Sequence, residues 1–271
     1  MGRSKRVYNL IMDLWPLYKV GLWMGNQPGV GALLKPVFSS KIHQVTIIPV
    51  NEPIHTGEQT ALPYTLLTQL VEQASARFIM TECVCRSHEN CQSYPVSLGC
   101  LFLGDGAAKI HPSLGRLASI DEAKVHVRQG MQMGLLPLIA HTVVDALTLG
   151  IPYNRMLVVC FCCECCCAVQ RGMHQGPPTL LRAVQRLPGV SVFVGDECVN
   201  CGECVEVCPA RAISLDHTRV MISNDCKVCG LCVNACPNGA ISVIMDDEED
   251  IMAGFRARIK QYADIEKNGK H

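Results

Sequence analysis

The stretch Cys198-Val199-Asn200-Cys201-Gly202-Glu203-Cys204-Val205-Glu206-Val207-Cys208-Pro209 recurs as Cys226-Lys227-Val228-Cys229-Gly230-Leu231-Cys232-Val233-Asn234-Ala235-Cys236-Pro237. The offset of 28 (226 against 198) also superposes Gly202 on Gly230, Ala212 on Ala240 and Ile213 on Ile241, so this is a duplicated unit. Each half reads C-x2-C-x2-C-x3-C-P. Three cysteines on one tight loop can wrap one face of a metal–sulfide cube while backbone amides turn inward toward its sulfides. Small residues such as Gly202 and Gly230 permit that approach.

The fourth cysteine of each run lies on the helix after the loop and points to the other cube. The expected ligand sets are Cys198, Cys201, Cys204 and Cys236 for one [4Fe-4S] cluster, and Cys226, Cys229, Cys232 and Cys208 for the other. Residues 190–245 thus resemble a bacterial-type ferredoxin domain with two [4Fe-4S] clusters, through both complete motifs and over about a fifth of the chain. Zinc knuckles are the competing reading, but zinc takes four ligands of its own, whereas this spacing supplies a cross-shared fourth cysteine followed by proline. Electron transfer follows, because a cubane changes charge by one electron with little rearrangement. Lys227 stands where the first loop has Val199, and its charge is expected to raise the second cluster's potential.

The rest of the chain has to be read around that unit. Its 271 residues can bury a core without covalent staples, so 18 cysteines serve chemistry more than folding. Twenty-four basic and 24 acidic side chains leave a formal net charge of zero, with no basic footprint for nucleic acid. The opening MGRSKRVYNLIMDLWPLYKVGLW (1–23) is interrupted by Asp13, Pro16 and Lys19 and makes a poor signal peptide. The apolar run 135–152 contains His141 and Asp145 and falls short of a spanning helix. A cytoplasmic protein is expected, where reduced thiols read as metal ligands before disulfides.

The expected class is α+β: an N-terminal mixed α/β cysteine-rich redox domain (1–189), a ferredoxin-like domain of duplicated βαβ units (190–245) and a charged C-terminal helix (246–271). QVTIIPV (44–50), RMLVVC (155–160) and VSVFV (190–194) predict strands. Pro63 opens a helical pattern of Leu66, Leu67, Leu70, Val71 and Ala74. Ser119 and Glu122 stand at capping-box spacing, predicting a helix from about Ile120 to Gly134. After the acidic run 246–250, Ile251, Phe255, Ile259 and Tyr262 mark a helix docking one apolar stripe. Leu10, Ile11, Leu14, Trp15, Leu17, Tyr18, Leu22 and Trp23 form a broad apolar patch beside Arg3, Lys5 and Arg6, suited to core packing, to a partner or to a membrane surface.

Ten further cysteines exceed what a simple carrier needs: Cys83, Cys85, Cys91 and Cys100, then Cys160, Cys162, Cys163, Cys165, Cys166 and Cys167 in CFCCECCC (160–167). On a strand end Cys160 and Cys162 share a face; on a following helical turn Cys162 and Cys166 share one stripe and Cys163 and Cys167 another. One cubane cannot take all six from one side. The two groups are expected to converge on one or two further iron–sulfur clusters, with zinc or inert buried thiols as the alternatives.

A second resemblance rests on IIPVNEPI (47–54), C-x-C-R at Cys83 to Arg86, Cys91 ahead of Tyr94-Pro95, YPVSLGCLFLGDGA (94–107), SIDEAKVHVRQGMQMGLL (119–136) and CFCCECCC (160–167). Together they are similar to a family of cysteine-rich 4Fe-4S binding proteins of anaerobes. The resemblance implies a redox protein of anaerobes without supplying a substrate. At Leu135-Leu136-Pro137 the chain departs from relatives that carry Val-His, so no histidine role transfers there.

Arg86 could compensate a thiolate-bound cluster from just outside it, hold an anionic ligand, or make a surface salt bridge. His88, His111, His141 and His174 are scattered and read as ordinary histidines. GDGAAKIHPSLG (104–115) does not follow the dinucleotide fingerprint. The expected function is a multi-cluster electron-transfer protein relaying between the ferredoxin module and an N-terminal iron–sulfur centre. A reductase with substrate at that centre, hence an oxidoreductase or its subunit, and a zinc-stabilised interaction module fused to a ferredoxin are the alternatives. A redox partner protein is implied, while self-association and peripheral membrane contact through the N-terminal segment are also compatible with the sequence.

Overall fold

Leu157-Val158-Val159-Cys160-Phe161-Cys162 is rich in β-branched and aromatic side chains, which suit a pleated, buried surface. In the computed structural model, which describes residues 1–50, 62–216 and 219–266, it is the middle strand of a seven-stranded sheet. The strands are β1 (His43–Ile47), β2 (Arg77–Met80), β3 (Leu101–Leu103), β4 (Gly115–Leu117), β5 (Leu136–Thr142), β6 (Leu157–Cys162) and β7 (Val184–Arg186), in the order β4-β2-β3-β6-β5-β1-β7. Every neighbouring pair is antiparallel except β1 with β7. The end of IIPVNEPI, residues 51–54, lies outside the described residues.

Antiparallel register brings three chain segments to one sheet edge. β2 ends where β3 begins and where β6 ends, with Leu101 opposite Val159 and Leu136 opposite Cys162. That edge therefore receives Cys83 and Cys85 after β2, Cys100 before β3, and Cys160 and Cys162 on β6 itself.

Both sheet faces are covered. On one, Leu101, Leu103, Ile139, Leu157, Val159 and Phe161 pack with Leu66, Leu67, Leu70 and Val71 of the helix Leu62–Gln73, and with Ala123 and Val127 of the helix Ile120–Gln132. The latter starts as expected on a full capping box, worth about 1 kcal/mol: Ser119 Oγ accepts from Glu122 N at 3.2 Å and Glu122 Oε2 accepts from Ser119 N at 2.8 Å. Gly130 lets this helix rest directly on the Phe161 ring, which a Cβ there would strike. The helix Glu248–Lys260 closes the same face with Ile251, Met252, Phe255 and Ile259, each side chain contributing roughly 1.5–3 kcal/mol by burial.

Phe102, Leu136, Leu138, Ala140 and Val158 point to the other face, against Tyr8 and Met12 of the helix Lys5–Met12 and Ala146 and Leu149 of the helix Val143–Leu149. The N-terminal apolar patch divides here. Leu22 is buried, whereas Leu10 is 70% exposed and Trp23 63%, with Leu14 and Leu17 also exposed. Among the described residues no helix is long and apolar enough to cross a membrane.

The C-terminal repeat forms strand, helix, strand twice over. β8 (Val190–Val194), the helix Glu203–Glu206 and β9 (Ile213–Asp216) are followed by β10 (Arg219–Ile222), the helix Leu231–Ala235 and β11 (Ile241–Met245). β8 pairs with β11 and β9 with β10, so the outer strands of the two halves embrace the inner ones. Val190 and Val228 enter the same apolar core as the helix Glu248–Lys260, so this unit is packed onto the sheet and its helices.

Candidate metal centres

In the repeat, the backbone is wound the same way twice. Asn200 and Val228, Gly202 and Gly230, and Arg211 and Gly239 all have positive φ and are each 28 apart. For β-branched Val228, at φ 51°, that conformation is strained, and it persists because the surrounding loop demands it. The winding turns amide groups toward sulfur: Val228 N donates to Cys226 Sγ at 3.4 Å and Ala212 N to Cys208 Sγ at 3.3 Å.

Cys198, Cys201, Cys204 and Cys236 line a single cavity, bringing the fourth cysteine of the second run to the loop of the first. Reciprocally, Cys208 and Cys226 bear on both Cys229 and Cys232, whose thiols are pushed up to about 12, first by burial and then by these neighbours. Paired loops, inward amides and two four-thiol sets suit [4Fe-4S] clusters. Lys227 is buried beside Cys226, and burial pulls its ammonium below the ordinary lysine range.

The ten other thiols converge and then divide. Along β6, Cys160 and Cys162 face one side of the sheet and Phe161 the other; Cys163 continues the alternation and joins the Phe161 side. Residues 164–166 form a turn and the next helix begins only at Ala168, so the expected helical stripes do not form. Cys162 is grouped with Cys167, and Cys163 with Cys166.

The first group contains six thiols: Cys160, Cys100, Cys83, Cys85, Cys167 and Cys162, joined in that order by thiol–thiol contacts. Cys100 and Cys160, opposite each other at the sheet edge, stand 3.3 Å apart. Hydrogen bonds from Cys100 and Cys85 hold the Cys83 thiol well below its ordinary value. Hydrogen bonding to neighbouring thiols, and then burial, pushes Cys85, Cys100 and Cys167 well above theirs. Crowded buried thiols cannot all ionise unless a cation takes up the charge.

The second group is Cys91, Cys163, Cys165 and Cys166, whose Sγ atoms all lie within 4.8 Å of one another. Cys163 and Cys166 are buried, Cys91 is half-buried and Cys165 is exposed.

Arg86 sits between the two groups. It is 1% exposed and makes no ion pair with a carboxylate among the described residues, which removes the surface salt bridge. Its Nη1 donates to Phe161 O at 2.8 Å and its Nη2 to Leu98 O. Burial alone would lower its pKa, but the Cys83 and Cys163 thiols hold it above its ordinary value. A guanidinium this deep needs negative charge nearby, and Cys83 and Cys163 are the groups placed to provide it.

None of the four histidines joins either thiol group. His88 Nδ1 lies 2.9 Å from Val84 O, and His111 caps the turn at Ser113. His141 stacks on Tyr153 and Tyr262, and His174 meets Arg211. Sequence reasoning separated Cys162 from Cys163 but gave each the wrong partner, because it carried a helix through residues 164–166, which form a turn ahead of the helix that begins at Ala168.

Residues 197–241 match the family model of the 4Fe-4S dicluster domain. A comparison with curated proteins found no match. The chain carries a 4Fe-4S ferredoxin-type domain together with a separate cysteine cluster, which makes it a metal-binding, iron–sulfur protein.

Proposed function

We propose that the chain is a multi-cluster electron-transfer protein. Cys198, Cys201, Cys204 and Cys236 would hold one [4Fe-4S] cluster, Cys226, Cys229, Cys232 and Cys208 a second, and the six-thiol group a further iron–sulfur centre. The bound clusters supply one-electron redox chemistry; the protein's part is to space them, exclude water and balance their charge. The observation that carries this reading is the position of the second ferredoxin set. Cys208 and Cys232 pack with Cys204 and Cys236 of the first set. Cys229 packs against the apolar cluster that contains Cys162 and Cys167, and its carbonyl accepts from Val50 N at 2.9 Å. On this reading the second ferredoxin set is the link between the first set and the six-thiol group. Exposed Cys201 leaves the first set open to a redox partner protein, while Arg86 lies at the buried end. A cytoplasmic protein of anaerobes is the setting this reading implies.

Anaerobic iron and acid-labile sulfide counts, followed by a redox titration read by electron paramagnetic resonance, test it. Iron and sulfide beyond about eight each, with magnetic coupling between the added centre and the ferredoxin pair, are expected. About eight of each, with no further signal, would leave a ferredoxin alone and overturn the relay. Full cysteine ligation of the added centre favours carriage over catalysis, whereas an iron with an exchangeable ligand would favour a reductase.

A further inference from the structure

Four thiols outside both the ferredoxin loops and the six-thiol group are drawn unusually close. Cys91 and Cys165 stand 3.7 Å apart, and all four Sγ atoms of Cys91, Cys163, Cys165 and Cys166 lie within 4.8 Å of one another. A single ion with four thiolates at about 2.3 Å in a tetrahedron sets those sulfurs about 3.8 Å apart. Thiolates on the four irons of a cubane are pushed outward along its diagonals and stand roughly 6 Å apart. The chain provides its own comparison: among the described residues, neither the ferredoxin cysteines nor the six-thiol group contains a set of three or more this close. The spacing is closer to that of ligands around one ion than to that of thiolates around a cubane.

We propose that Cys91, Cys163, Cys165 and Cys166 form a mononuclear tetrathiolate site for one thiophilic divalent ion, Zn2+ or Fe2+, distinct from every iron–sulfur cluster of the chain. An all-sulfur tetrahedral set selects such ions over magnesium, calcium or manganese. Four thiolates on a divalent ion carry a net charge of about −2. Arg86, buried beside Cys163 with no carboxylate partner among the described residues, offsets part of that charge. Exposed Cys165 gives the ion a route in from solvent, and buried Cys163 and Cys166 close the far side. The ion ties the loop after the helix Val84–His88 to the turn after β6. The site stands whether or not the six-thiol group holds a cluster.

X-ray absorption at the zinc and iron edges of the full chain, prepared without oxygen, tests the proposal directly, together with metal and sulfide counts. The expected result is about one ion per chain with four sulfur neighbours near 2.3 Å and no metal neighbour, at the zinc edge if zinc and as sulfide-free iron if iron. Cys91→Ser is expected to lose that ion while the acid-labile sulfide count stays unchanged. Loss of iron and sulfide in equal number, or no loss of metal, would overturn it. Should the variant fail to fold, the wild-type spectrum decides: metal found only in sulfide-bridged clusters also overturns it. Sulfide-free metal reports on this site, and sulfide beyond the ferredoxin's share reports on the relay, so the two proposals fail separately.

Discussion

The ferredoxin loops and the thiol-rich sheet edge gather cysteines by opposite means. In the repeat, three of each four sulfurs come from seven consecutive residues, and the winding that presents them is written twice, down to left-handed backbone at Asn200 and Val228. At the sheet edge, sulfurs from β2, β3 and β6 meet only because antiparallel register aligns those strand ends. A locally encoded site leans on its metal to hold its shape, whereas a register-encoded site takes its shape from the apolar core of the sheet that carries it.

Removing the metal should expose that difference most strongly. The small core of the repeat, Cys204, Ile213, Cys232 and Ile241, is half cysteine. Anaerobic chelation of iron should therefore abolish slow amide exchange across residues 197–241 while β3, β5 and β6 stay protected, as measured by hydrogen–deuterium exchange mass spectrometry. Simultaneous loss of protection in the central strands would show that the two regions share one cooperative unit, erasing the contrast.

Arg86→Met acts on the other side of the comparison. Removing the charge that faces buried thiolates should destabilise the chain by about 3–5 kcal/mol in denaturant melts and weaken metal retention at the sheet edge, leaving the ferredoxin potentials in place. Unchanged melting would mean that the thiols around it are neutral and inert. A smaller change is expected from Lys227→Gln, which removes a buried positive charge next to Cys226. The second ferredoxin cluster should fall in potential by an amount on the order of tens of millivolts, with the first shifting less, in a potentiometric titration. Smallest of all, Leu14→Ser or Trp23→Ser alters exposed side chains and should shift stability by less than about 0.5 kcal/mol. A larger loss would place that apolar face within the folded core.

What could be read from residue order follows the same division. The repeat, the capping box at Ser119 and the apolar stripe of the helix Glu248–Lys260 are set by neighbours within a few positions, so their patterns predict them. The convergence of Cys83, Cys85 and Cys100 on the CFCCECCC run was legible only as an excess of thiols, because pairing across 60 residues, as between Cys100 and Cys160, leaves no local trace. The helical reading of residues 162–167 failed because strand alternation persists through Cys163 before the turn. The depth of Arg86 was equally invisible, since its partners are the carbonyls of Leu98 and Phe161, which any residues could supply.

Cys162 and Cys163 are adjacent in the chain yet belong to thiol groups that pack on opposite sides of the sheet. Which sulfur joins which group is therefore decided by how β6 hydrogen-bonds to β3 and β5, and a slip of one residue would exchange the two deliveries. The sheet thus serves as a sorting gate for inorganic chemistry: its ladder of amides apportions the sulfurs between a group of six thiols and a group of four.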